Sequence, residues 1–184
     1  MLLEIKNYSD INERKLMDIY EESNSENVEY FYSEEKDIAE GIRKVEAGFL
    51  DFLKNNFFNL DEATYWVLEE DGVWVSAART CFIKPDIIYL EALETMPSKR
   101  NSGYGYKLLS KIIESLKTYG FLRLCDCVSK KNIPSLKTHE KCGFKIVDDK
   151  GNDYLNDDVD DHCFSLEYRF WFCILDINKI YLIK

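Results

Sequence analysis

Apolar positions along this chain switch between two spacings, and the switches mark its elements. Leu2 to Asn7 alternates weakly and predicts a short first strand. Asp10, with Glu13 three residues on, has the form of a capping box and predicts a helix through Leu16, Ile19 and Tyr20. The polar stretch Glu21 to Glu29 follows. A second helix is expected from about Ser33 to Asn55, where Ile38, Ile42, Val45, Phe49 and Phe52 keep a helical period. The spacing then tightens. Thr64 to Glu69, Val73 to Ile83 and Ile87 to Thr95 are rich in β-branched and aromatic residues and predict three strands. Asp71-Gly72 and Pro85-Asp86 supply the two turns between them.

Beyond this meander, Leu108, Leu109, Ile112, Ile113 and Leu116 define one face of a helix that begins at Gly103 and is closed by Gly120 at C′. Phe121 to Val128 reads as a buried strand. Asn132 caps a short helix with Pro134 in its first turn, which stops at Gly143. Phe144 to Val147 and Cys163 to Phe170 read as closing strands on either side of an Asp-rich loop. The expected order is β-αα-βββ-α-β-α-β-β, an α/β domain over residues 1–170 with an apolar extension at 171–184.

The 184 residues carry a formal net charge of -10, which disfavours nucleic acid and anionic membranes and points to cationic partners. The N-terminal apolar run breaks after three residues, so no signal peptide is read, and Phe170 to Leu175 is too short to span a bilayer. The six cysteines lie mostly in apolar segments and are expected to be reduced thiols of a cytoplasmic protein. Cys125 and Cys127 form a CxC pair. Neither it nor Cys142, His139, His162 and Cys163 has metal-ligand spacing, so no metal is expected.

The segment from Met96 to Gly105 joins a strand to a helix, where glycines let successive N–H groups and a helix N-terminus receive a pyrophosphate. Leu108 stands where a dinucleotide fingerprint needs Gly or Ala, and the Gly-Lys-Ser/Thr of a P-loop is missing. What remains, Arg100-Asn101-Ser102-Gly103-Tyr104-Gly105, resembles the R/Q-x-x-G-x-G/A signature of the GNAT N-acetyltransferase superfamily. Asn132, Ser135, His139, Gly143 and Phe144 resemble the second family motif, N-x-x-A/S-x-x-x-Y-x-x-x-G-F, and the likeness spans about Thr64 to Phe170. Two positions depart from the pattern: Asn101 replaces a frequent Gly, and His139 replaces the usual Tyr.

The resemblance implies acetyl-CoA as cosubstrate, direct transfer to a primary amine, and a GNAT fold with a mixed, mostly antiparallel sheet. It assigns the cofactor to Leu93, Thr95, Arg100, Asn101, Ser102, Gly103, Tyr104, Gly105, Asn132 and Ser135. Deprotonating a lysine-like amine at pH 7 costs about 4.6 kcal/mol, which calls for a carboxylate base. Glu91 and Glu94 precede the glycine loop, and strand alternation is expected to send them to opposite faces, with Glu91 favoured as the base. A backbone N–H at the end of that strand would hold the carbonyl oxygen. His139 either protonates the leaving thiolate or only packs against pantetheine. The acidic groups from Glu21 to Asp37 and from Asp148 to Asp161 map by resemblance to the acceptor side and suggest a cationic amine; solvated surface is the other reading. A calcium loop is disfavoured because the EF-hand pattern is absent. The tail is expected to add a strand, cover a homodimer surface or touch a membrane. A module that binds acyl-CoA without turnover shares the same loop and stays open as the alternative function.

Overall fold

The computed structural model describes residues 1–120, 123–155 and 157–170. A seven-stranded sheet forms its middle, in the order β1-β2-β3-β4-β5-β9-β6. β1 (Leu2–Ile5), β2 (Thr64–Glu70), β3 (Val73–Lys84) and β4 (Ile87–Thr95) run antiparallel, each to the next. β5 (Arg123–Ser129) then pairs parallel with β4, and β9 (Cys163–Arg169) lies antiparallel between β5 and β6 (Lys145–Asp148).

Each strand feeds two cores because neighbouring side chains point to opposite faces. On β2, Trp66 and Leu68 enter the core built on α4 (Tyr104–Leu116). Tyr65 and Val67 enter the other, with Leu16 and Ile19 of α1 (Glu13–Ile19) and Leu53 of α3 (Ile38–Asn55). All five predicted apolar residues of α4 are buried, each stabilising the fold by about 1.5–3 kcal/mol relative to exposure. α5 (Ile133–Lys141) packs beside α4, and its N-cap Asn132 accepts a hydrogen bond from Ser135 N–H at 3.1 Å.

Three local expectations are corrected. The cap of α1 is Asn12, which accepts from Lys15 N–H at 3.0 Å; Asp10 ends a 3₁₀ turn instead. The polar stretch after it is itself a helix, α2 (Glu21–Phe31), so three helices precede the meander. Its buried stripe is only Asn24 and Val28, one turn apart, which is too narrow for the hydrophobic period to register. Gly41 of α3 lets that stripe come close, since a Cβ there would sit 2.4 Å from Val28 Cγ1. In the Asp-rich loop, Gly151–Asp153 and Asp158–Asp160 pair as a small hairpin, β7 and β8. The beginning of the expected strand, 121–122, and the 171–184 extension lie outside the described residues.

Among the described residues no helix is long and apolar enough to cross a membrane. The five described cysteines are free thiols.

Candidate active site

β4 and β5 are registered at three positions, ending at Tyr89 and Cys125; beyond that point they part. The remainder of β4, the start of α4 and the start of α5 therefore frame a groove of about 760 Å³. Of the residues assigned to the cofactor, Leu93, Thr95, Arg100, Asn101, Gly103, Tyr104, Gly105, Asn132 and Ser135 line it. Ser102 belongs to the same loop but does not line the groove.

The loop takes its shape from two left-handed residues, Asn101 at φ 60° and Gly103 at φ 80°. Asn tolerates that region better than other residues with a side chain, which explains why the departure at 101 does no harm. Gly103 is the N-cap of α4, and the first-turn N–H groups of a helix have no partner within it. Gly105 passes close to both neighbours: a Cβ there would lie 3.4 Å from Thr95 Oγ1 and 3.9 Å from Thr138 Cγ2. Lys137, Lys141 and Arg100 add positive charge along the same groove. A cradle at a helix N-terminus, with Lys137 and Lys141 beside it, suits a pyrophosphate. Arg100 itself is held by Glu22 and, at 3.1 Å, by Glu94 Oε1. Burial acts against its charge, but these carboxylates more than offset it and raise its pKa.

The next feature contradicts simple alternation. Arg79 of β3 faces Glu91, and Ala77 faces Glu94, so Ala92 and Leu93 together oppose the single residue Ala78. This is a β-bulge, and Ala92 takes a left-handed φ of 53° within it. The bulge returns Glu91 and Glu94 to one face, the face of α1 and α3, rather than to opposite faces. Leu90 and Leu93, also three apart, accordingly share the α4 core. Tyr20 holds the bulge by donating to Ala92 O at 2.7 Å, while Tyr65 donates to Tyr20 Oη at 2.8 Å. Burial raises the Tyr20 pKa well above its ordinary value, keeping it a donor.

The two glutamates still differ in surroundings. Glu91 is committed to Arg79 Nε at 2.6 Å and lines neither cavity. Glu94 accepts from Ser23 Oγ at 3.0 Å and, with Ser23, lines both the groove and a second cavity of about 550 Å³. That second cavity lies between α2, α3 and the bulge, and Tyr20, Phe31, Tyr32, Phe49 and Phe52 give it aromatic walls.

His139 is fully buried and lines neither cavity. Its Nδ1 lies 2.8 Å from Ser135 O, its ring packs edge-on against Phe144, and its Nε2 lies 2.8 Å from Asp126 Oδ2. The last contact is bent away from the ring N–H direction, so it is a close ion-pair contact rather than a well-directed hydrogen bond. Burial raises the Asp126 pKa; at His139 burial is outweighed by the carboxylate and the pKa is raised too. The pair therefore keeps a proton in a closed part of the core.

The acidic residues distribute differently from the expectation. Glu22 and Glu26 line the groove, and none of Asp148 to Asp161 lines either cavity. No cluster of His, Cys, Asp or Glu among the described residues is arranged to hold a metal ion. Sequence reasoning missed Tyr20, Ser23, Phe49, Phe52 and Arg79. Only Arg79 left a mark in the sequence, as a cation inside the apolar run from Val73 to Ile83.

Sequence comparison identifies this architecture. Residues 16–144 match the model of the acetyltransferase (GNAT) family, and the chain belongs to that family. Among solved structures it is similar to the PaiA N-acetyltransferase of Thermoplasma acidophilum in complex with coenzyme A, at 21% identity and TM-score 0.63, covering 92% of this chain and 99% of that one. The IAA acetyltransferase from Bacillus cereus ATCC 14579 is similar at 16% identity and TM-score 0.60, over 92% and 99% of the two chains. Campylobacter jejuni N-acetyltransferase PseH, in complex with acetyl coenzyme A, is similar at 16% identity and TM-score 0.56, over 93% and 100%. At these identities the likeness is one of fold. No curated protein sequence matches.

Proposed function

We propose that the protein transfers an acetyl group from acetyl-CoA to a primary amine in one direct step. The observation that carries the reading is the position of Glu94, at the junction of a phosphate-suited groove and a separate aromatic cavity. Acetyl-CoA in the groove supplies an activated thioester carbonyl. Gly103, Gly105 and the N-terminus of α4 bind its pyrophosphate, with Arg100, Lys137 and Lys141 adding charge. Asn132 and Ser135 shape the opposite wall.

Glu94 receives the ammonium proton, directly or through one water, and the neutral nitrogen attacks the carbonyl carbon. The C–N bond forms as the C–S bond breaks, the second nitrogen proton passes to the departing thiolate or to water, and a backbone N–H beside the bulge stabilises the oxygen. No side-chain acid is assigned to the thiolate: its pKa, near 8.5 when free, makes such help modest, and buried His139 is given a packing role. Ser23 and Arg100 hold Glu94 in place.

The test is thiol release from acetyl-CoA across a panel of primary amines, with Glu94→Gln as the control. The variant should lose about 10²–10⁴ in kcat with CoA affinity unchanged by calorimetry. CoA binding without thiol release from any amine would favour the non-catalytic acyl-CoA module instead. Unchanged kcat in the variant would remove Glu94 from the base role.

A further inference from the structure

Arg79 is a charged residue in the middle of the sheet, and its side chain is only 12% exposed. Its Nε donates to Glu91, and among the described residues no other protein acceptor meets the guanidinium; Nη1 is buried without any partner. Around it stand the rings of Phe52, Phe57 and Phe49, with centroids 4.8, 5.5 and 5.7 Å from Cζ. These faces favour a cation but do not replace the hydrogen bonds that water would make. A buried guanidinium with N–H groups left over is costly, and the group that fits its planar fork is a carboxylate. Arg79 lines the aromatic cavity that ends at Glu94, and Lys44 lines it as well.

We infer that the acceptor is an amphiphilic amino acid: an apolar, preferably aromatic, body that carries a carboxylate in addition to the reacting amine. The carboxylate docks on Arg79, Phe49 and Phe52 cover the body, and the amine is presented to Glu94. This assignment rests on the acetyltransferase reading and narrows its substrate class. It replaces the cationic acceptor suggested by the acidic clusters. Inside the cavity two cations, Arg79 and Lys44, stand with the single carboxylate Glu94. Glu91 and Glu35, the partners of Arg79 and Lys44, both lie outside the cavity wall, so within it the cations outnumber the carboxylates.

The assignment is tested by binding, separately from turnover. Calorimetry compares 3-phenylpropionate with 3-phenylpropanol, which differ in the carboxylate and cannot be acetylated on nitrogen. The wild-type protein should bind the acid at least about tenfold more tightly than the alcohol, which corresponds to about 1.4 kcal/mol. Lys44→Met, at the cavity rim, should weaken the acid severalfold and leave the alcohol unchanged. Arg79→Met combined with Glu91→Leu removes both buried charges together, a change that buried pairs often tolerate, and with Lys44→Met added should bind the two ligands alike. Equal affinity of the wild-type protein for acid and alcohol, or an acid preference that survives in the triple variant, would overturn the carboxylate pocket. Thiol release with an amine panel is read independently, so failure of the pocket and failure of the acetyltransferase reading give different results.

Discussion

Replacing Asp126 by Asn should reverse the pH dependence of stability contributed by the buried pair with His139. In the wild-type protein both members have raised pKa values, Asp126 through burial and His139 because the carboxylate outweighs burial. A raised folded-state pKa stabilises fully below the unfolded-state pKa, and the stabilisation is lost as pH rises toward the folded one. For His139 this begins near pH 6.5, where the unfolded imidazole releases its proton while the folded one keeps it. Each proton so retained changes stability by at most about 1.4 kcal/mol per pH unit. Asn cannot support the imidazolium. In the variant burial is left to act on His139, so the ring stays neutral when folded and stability is lost instead as pH falls below about 6.5. The difference in stability, wild type minus variant, should therefore decline as pH rises from below 6.5 to above it. For a chain of this size about 1 kcal/mol moves Tm by roughly 2–4 °C, so slopes of several degrees per pH unit are measurable by scanning calorimetry. Taking the difference cancels titrations common to both proteins. A flat or rising difference across that range would refute the assignment of a retained proton to this pair.

Two further perturbations address the groove and the bulge. Gly105→Asp should weaken CoA binding tenfold or more, about 1.4 kcal/mol, because its Cβ starts 3.4 Å from Thr95 Oγ1 and its charge faces the phosphates; unchanged affinity in calorimetry would remove the loop from the cofactor site. Ala92→Gly should stabilise the fold by about 0.5–1 kcal/mol, since relief of a left-handed alanine exceeds the added freedom of the unfolded chain. A lower Tm, the usual result of glycine in a strand, would contradict the strain.

Legibility in the sequence follows how local the cause is. The meander, α4 and α5 were readable because apolar period, turn residues and caps all act within a few residues. The groove was readable for the same reason: the conformations of Asn101 and Gly103 are set by the loop itself. α2 was not, since its helix is stabilised by packing on α3 through Val28 and Gly41 rather than by a broad apolar face of its own. The face shared by Glu91 and Glu94 was not readable either. Nothing in Leu90-Glu91-Ala92-Leu93-Glu94 announces a bulge; it exists because Ala77 and Arg79 dictate the register and Tyr20, 72 residues away, holds Ala92 O. His139 is the converse case: its motif position left chemistry and packing both open, and the fold turns the ring into the core.

A bulge also sets the phase in which a strand is written. Upstream of Ala92 the odd-numbered residues of β4 face α1 and α3; downstream the even-numbered residues do, as Glu91 and Glu94 illustrate. Flattening the bulge at constant length would slip the pairing by one residue and carry every later position, Glu94 included, to the other face. Loss of a single residue between Glu91 and Glu94 would instead leave regular pleating with Glu94 still opposite Ala77, so the segment can lose a residue and keep its glutamate where it stands.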